Sequence, residues 1–181
     1  MRNREELAKY FNRLGFKTGA EVGVYSGAYS ETLCKNIPNL MLYCIDPWQK
    51  LESAYQEAVR KLAPYNATFI RKPSLDAVKD FKKKSLDFVY IDGNHAYSYV
   101  RDDLEAWVPK VRKGGVVAGH DYYLTRHGNA GVIIAVNNYV KKHGYELHLT
   151  DWDFPPDLYE TGDVQSVQLN DEQQPSWWFM K

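Results

Sequence analysis

The chain has 181 residues, the length of one ordinary domain, and its 44% apolar and 25% charged content excludes disorder as the main state. Lys+Arg and Asp+Glu both number 23, so bulk charge gives no support for nucleic acid or an anionic membrane as a partner. No run of about 18 apolar residues offers a membrane span, and the charged start MRNREELAKY does not read as a secretory leader. Cys34 and Cys44 fall in no CxxC or zinc spacing, so reduced thiols in a cytoplasmic protein are expected. In chain order, Leu7, Tyr10, Phe11 and Leu14 recur at helical spacing behind Asn3 and Glu6, which are placed as a capping box, and Gly15 ends that helix. Residues 20–24 read as a short strand, and Gly27 opens a second helix. The apolar run 41–45, stopped by Asp46-Pro47, suits a strand covered on both faces. A helix over about 50–62, a strand at 67–70 and a short helix marked by Leu75, Val78 and Phe81 follow.

Residues 86–91 form the fourth expected strand, ending at Asp92-Gly93. In the next helix Tyr97, Val100, Leu104 and Trp107 share a face, with Asp102, Asp103 and Glu105 placed away from it. Gly114-Gly115 turns into a strand at 116–118. Val132, Ala135, Val136, Tyr139 and Val140 mark a last helix closed by Gly144. Residues 146–149 alternate as a half-wet strand with His148 outward, 151–175 read as a loop or flap, and 177–180 as a final strand. The alternation predicts an α/β fold: a doubly wound, mostly parallel, Rossmann-like seven-stranded sheet with one antiparallel strand near the C-terminus, in a single domain.

Ligands of open α/β sheets bind outside the carboxyl ends of the strands. Those ends carry Gly23-Val24-Tyr25-Ser26-Gly27, Asp46, Pro73-Ser74, Asp92 with Asn94 and His95, and His120-Asp121. Gly23 and Gly27 permit close backbone approach, and Asp46 follows at about the interval (~20 residues) where an acidic residue meets ribose hydroxyls. The turn is not GxGxxG, holds no Lys or Arg and precedes no GK[ST], so a P-loop is excluded. Glu21 beside it would repel a pyrophosphate and favour an ammonium or sulfonium. A phosphate-free, cationic nucleoside fits, and S-adenosylmethionine has that form. A tight strand–helix packing turn is the plainer alternative for the glycines.

The stretches EVGVYSG, YCIDPW, LDFVYIDGNHAYSYVRDDLEAW and RKGGVVAGHDY resemble the small class I S-adenosylmethionine-dependent methyltransferases, in particular the group with Asp-Gly-x-His after the fourth strand and Gly-His-Asp-Tyr after the fifth. The resemblance covers roughly residues 18–145, and PSWWFMK resembles that group's last strand. The turn departs from the general pattern in having two glycines rather than three. The resemblance implies that Glu21, Gly23 and Gly27, with Tyr25 at the turn, line the methionine part of the cofactor. It implies that Asp46 binds both ribose hydroxyls, Ser74 lies near adenine, Asp92 sits at the junction with the acceptor, and His95 faces the acceptor as general base.

If the fourth and fifth strands are neighbours, Asp92 and Asp121, with His120, can reach one hard cation such as Mg²⁺, which would lower the pKa of a hydroxyl acceptor. Alternatively His95 takes the proton without metal, or Asp121 caps a turn, His120 satisfies buried backbone and His95 packs on the loop after the fifth strand. Trp48 and Tyr25 flank the cofactor or pack in the core. Tyr122, Tyr123 and Arg126 are placed to line an acceptor pocket; His127, His143 and Lys82-Lys83-Lys84 read as loop, helix-end and solvated-turn residues. The expected activity is methyl transfer to a small-molecule or sugar hydroxyl, O- rather than N-methylation. A homodimer is left open. The rivals are a NAD-dependent oxidoreductase, which Glu21 disfavours; a non-catalytic nucleoside-binding protein; and a metal-dependent hydrolase, which leaves Asp46 and Glu21 without a task.

Overall fold

A computed structural model describes residues 1–124, 130–151 and 174–181. Among the described residues six α-helices and seven strands follow in order: α1 (Arg4–Arg13), β1 (Thr18–Val22), α2 (Ala28–Asn36), β2 (Met41–Ile45), α3 (Glu52–Leu62), β3 (Ala67–Ile70), α4 (Ser74–Ala77), β4 (Leu86–Ile91), α5 (Tyr97–Trp107), β5 (Val111–Gly119), α6 (Gly131–His143), β6 (His148–Leu149) and β7 (Trp177–Met180). The strands form one sheet in the order β3-β2-β1-β4-β5-β7-β6. β7 runs antiparallel to both its neighbours and the other pairings are parallel, so the doubly wound sheet with a single reversed strand is as expected.

The central parallel strands β1 and β4 and the second half of β5 are buried on both faces, and the edge strand β3 is partly exposed. On one face Leu7, Phe11, Leu33, Ala54 and Ala58 of α1–α3 pack against Leu42, Phe88, Tyr90 and Ala118. On the other, Val100, Leu104 and Trp107 of α5 and Val132 and Val136 of α6 pack against Ala20, Val22, Val89 and Val117. This double cover explains the nearly continuous apolar strands. Asn3 caps α1 by accepting from Glu6 N at 3.0 Å, but the box is half-made: Glu6 Oε2 accepts from Arg2 N at 2.9 Å.

Some boundaries move. β1 stops at Val22, so Val24 belongs to the turn, and β5 begins at Val111, five residues before the expected strand, with a register shift where Gly114-Gly115 interrupts its pairing to β4. His148 is half-buried under Trp178, their rings 4.2 Å apart. His143 ends α6 and Lys82, Lys83 and Lys84 are exposed, as read from sequence. Arg126, His127 and residues 152–173 of the expected flap lie outside the described residues.

The sheet's winding reverses between β1 and β4, which opens a crevice at their carboxyl ends. Between these two strands the ring of the fully buried Phe88 lies over Gly19: a Cβ there would sit 2.1 Å from Phe88 Cζ. Gly19→Ala is therefore expected to cost about 1–3 kcal/mol by overpacking. Urea unfolding checks this; an unchanged midpoint at unchanged m-value would contradict the packing described.

Candidate functional site

The crevice is floored by strand ends and walled by their turns. After β1 the chain turns at Gly23, whose φ of 93° and whose space, with a Cβ falling 2.1 Å from Asp92 O, both require glycine. Gly27, also left-handed, is the residue before α2. Between them Tyr25 takes φ 49° and leaves its ring 61% exposed. That strained turn is held by Asp46. One carboxylate oxygen accepts from Tyr25 N at 3.0 Å, and the other from Trp48 N at 2.7 Å. The buried Trp48 closes the loop, Nε1 donating to Tyr25 O at 2.7 Å. Trp48 thus packs in the core, and Tyr25 stands at the crevice. A carboxylate has about four lone-pair sites, so each Asp46 oxygen keeps one for a further donor.

Two cavities share the wall made by Gly23, Tyr25, Asp92 and Gly93. The larger, about 820 Å³, is bounded by Val22, Asp46, Pro73, Ser74, Tyr99 and Asp103. The smaller, about 440 Å³, gathers Arg4, Glu21, Tyr29, His95, His120, Asp121 and Tyr123. Both volumes lie within the roughly 300–1,000 Å³ of ligand sites. The residues predicted at the strand ends therefore converge at one rim, except Gly27, which lines neither cavity and instead allows close packing on Ala58 and Leu62 of α3. Ser74, predicted near the adenine, borders the larger cavity, where it accepts from Trp107 Nε1 at 2.8 Å and donates to Asp103. Tyr122 turns away, donating to Asn137 at 2.8 Å, and Tyr123 faces the smaller cavity.

Electrostatics distinguish the carboxylates. Glu21 is 1% exposed and takes a hydrogen bond from Ser30 Oγ, and burial pushes its carboxyl up to about 8. Its carboxyl therefore stays mostly protonated at pH 7. Burial also raises Asp121, but hydrogen bonds from His120 and His95 outweigh this and hold it well below the usual carboxylate range. His95 Nε2 lies 2.9 Å from Asp121 Oδ2 and 3.8 Å from Asp92 Oδ1, and these two partners push its pKa up to about 10. His120 Nδ1 stands 3.5 Å from Asp121 and 4.0 Å from Asp92; its Nε2 is buried and has no hydrogen-bond partner among the described residues. Of the residues predicted as metal ligands, Asp92 and Asp121 present ligand atoms within 4.8 Å of one another, and His95, predicted as a base, completes that group.

Two site residues escaped the sequence reading. Asp103 was placed on the solvated face of α5, yet it is 6% exposed and burial raises its carboxyl to about 6. Its spacing from Val100 and Trp107 puts it on the edge of the apolar stripe, a signal that was there to find. Arg4 carries no such signal, because α1 contributes no strand end.

The family model of a methyltransferase domain matches residues 20–122, more than half of the chain. The chain belongs to this family. An uncharacterized protein of Sinorhizobium fredii, y4gI, is 30% identical over 95 residues, 48% of this chain and 10% of that protein, so the chain spans about a tenth of that curated relative's length. Among solved structures, an O-methyltransferase from Bacillus cereus in complex with S-adenosylhomocysteine superposes with TM-score 0.68 at 14% identity, covering 98% of this chain and 80% of that one. The O-methyltransferase TomG of Streptomyces achromogenes, in complex with S-adenosylmethionine, gives 0.69 at 15% identity over 98% and 79%. At such identities the likeness is one of fold. No described helix is long and apolar enough to cross a membrane.

Glu21 holds its proton between about pH 4.5 and 8 in the folded chain but releases it near 4.5 when unfolded. The unfolded state binds fewer protons in that window, so this group's contribution to stability falls as pH rises through it. Glu21→Gln is expected to gain more than about 1.4 kcal/mol on the wild type between pH 5 and 8.5, the worth of one pK unit. Denaturant unfolding at both pH values checks this; a pH-independent difference would contradict it. His95 runs in the same direction in a higher window: its contribution is complete below pH 6.5 and is lost as pH rises through about 10. Its NMR midpoint should fall by at least about one unit in Asp121→Asn, and an unmoved midpoint would refute the pairing.

Proposed function

We propose that the chain binds S-adenosylmethionine and methylates a hydroxyl group on a small molecule or sugar. The carrying observation is Asp46: its carboxylate orders both turns around the larger cavity while keeping an acceptor position on each oxygen, which suits a vicinal diol such as the two hydroxyls of ribose. In this reading Ser74 lies by the adenine, Gly23 and Tyr25 border the methionine part, and buried Glu21 receives its ammonium group. The TomG and B. cereus enzymes, whose fold this chain shares, hold S-adenosylmethionine and S-adenosylhomocysteine.

When bound, S-adenosylmethionine supplies a methyl group on a cationic sulfur, which an acceptor oxygen takes by in-line displacement. The protein's work is to orient both partners across the Gly23–Asp92 wall and to exclude water. Asp92 borders both cavities, and His95 and Asp121 line the smaller one beside it, where in this reading the acceptor meets the methyl group. His95 can act as general base only after its imidazolium has lost its proton. A positive sulfur brought close would favour that loss, so methylation should climb with pH above neutrality.

A divalent cation suits the same group. Two carboxylates and one imidazole nitrogen converge on a point, a donor set for a hard or borderline ion. Asp92, Asp121 and deprotonated His95 would hold it, with His120 alongside, and it would lower the pKa of a bound hydroxyl. Calorimetry tests the whole reading with S-adenosylhomocysteine and NAD as ligands, with and without Mg²⁺. The homocysteine nucleoside is expected to bind and NAD not. Asp46→Asn, which keeps one acceptor, should weaken binding by about 1–3 kcal/mol. Binding of NAD alone, or unchanged affinity in a folded Asp46→Asn, would overturn the proposal, and turnover indifferent to chelators would remove the metal from it.

A further inference from the structure

Arg4 stands in the smaller cavity, its guanidinium held only by a long ion pair to Asp92 and by the face of Tyr29. It is the first residue of α1, and its backbone is fixed by the Asn3 cap and by Tyr29, whose hydroxyl donates to Arg4 O at 3.1 Å. Its guanidinium lies 5.1 Å from the centroid of the Tyr29 ring and reaches the wall of the cavity. The side chain is 13% exposed, and its nearest carboxylate oxygen, Asp92 Oδ2, is 3.9 Å away, beyond hydrogen-bond reach. Among the described residues its N–H donors meet no hydrogen-bond acceptor. Withdrawing a guanidinium from water without hydrogen-bonding it is costly. Its planar fork matches a carboxylate.

Glu21 lines the same cavity. One wall thus offers a buried carboxyl group and an unsatisfied guanidinium together, which is complementary to a carbon bearing both an ammonium and a carboxylate. We infer that Arg4 binds the α-carboxylate of the cofactor's amino-acid tail while Glu21 takes the α-ammonium, so that α1, outside the segment matched by the family model, completes the cofactor site. This rests on S-adenosylmethionine as ligand. The pairing makes the tail, as well as the nucleoside, a requirement for binding, and leaves Asp92 free of Arg4 once the site is filled.

The test compares two probes on the full chain by calorimetry: S-adenosylhomocysteine, which carries the amino-acid tail, and 5′-methylthioadenosine, which lacks it. Arg4→Gln is expected to weaken S-adenosylhomocysteine at least about tenfold, the scale of a lost charged hydrogen bond, while leaving 5′-methylthioadenosine within about twofold; Arg4→Lys should restore part of the loss. Equal weakening of both probes would show that Arg4 only supports the cavity's shape and would overturn the inference. So would unchanged affinity for both, including the case in which Arg4→Gln raises only the KM of an anionic acceptor. If the wild type bound neither probe, the cofactor reading itself would fall, a result distinct from any of these.

Discussion

The carboxylate of Asp46 is the constraint on which the site depends. It is the residue that stops β2, and it reaches across to the turn after β1, accepting one backbone N–H from each loop. Without it two N–H groups at a strand-end crevice would lose their acceptor, each bond contributing about 0.5–1.5 kcal/mol. Tyr25, held at positive φ, would lose its tether. Trp48 Nε1 adds a third tie to the same turn. The larger cavity therefore owes its shape to a polar bridge between neighbouring parallel strands, and the sheet's double apolar cover owes nothing to it.

Charge around the smaller cavity is nearly balanced. Asp92 and Asp121 face His95 and Arg4, while Glu21 is buried beside Ser30 and mostly protonated at pH 7. Such a site has no excess of positive charge for a pyrophosphate. In the proposed reading the buried Glu21 carboxyl is the group that a sulfonium or ammonium would ionise. That separates the crevice from the phosphate-cradling sites built on similar sheets, in which a helix N-terminus and a glycine-rich turn meet an anion.

Much of the fold was legible because parallel strands covered on both faces write themselves as short apolar runs between amphipathic helices. The runs at 41–45 and 86–91 match β2 and β4 to the residue. The strand-end rule then located Asp46, Asp92, His95 and Asp121 without knowledge of their contacts. What failed was of two physical kinds. Boundaries slipped where glycine lets the backbone leave ideal pairing, as in β1 at Gly23 and in β5 at Gly114-Gly115. Side chains were misplaced where a polar residue is buried by a specific partner: Asp103 reads as solvent-facing until Ser74 is seen to bond it, and Arg4 belongs to a helix whose sequence shows only its packing face. The helical period does place Asp103 beside Val100 and Trp107, whereas no single-sequence period encodes the position of Arg4.

In the proposed reading, acidic groups at one rim of the sheet receive a phosphate-free, cationic nucleoside. A crystal structure of the chain grown with S-adenosylhomocysteine tests it most directly. The reading predicts ribose hydroxyls on both Asp46 oxygens, adenine beside Ser74 and Asp103, and the amino-acid tail against Glu21. Density for the ligand away from Asp46 and Glu21, with the crevice filled by solvent alone, would contradict it.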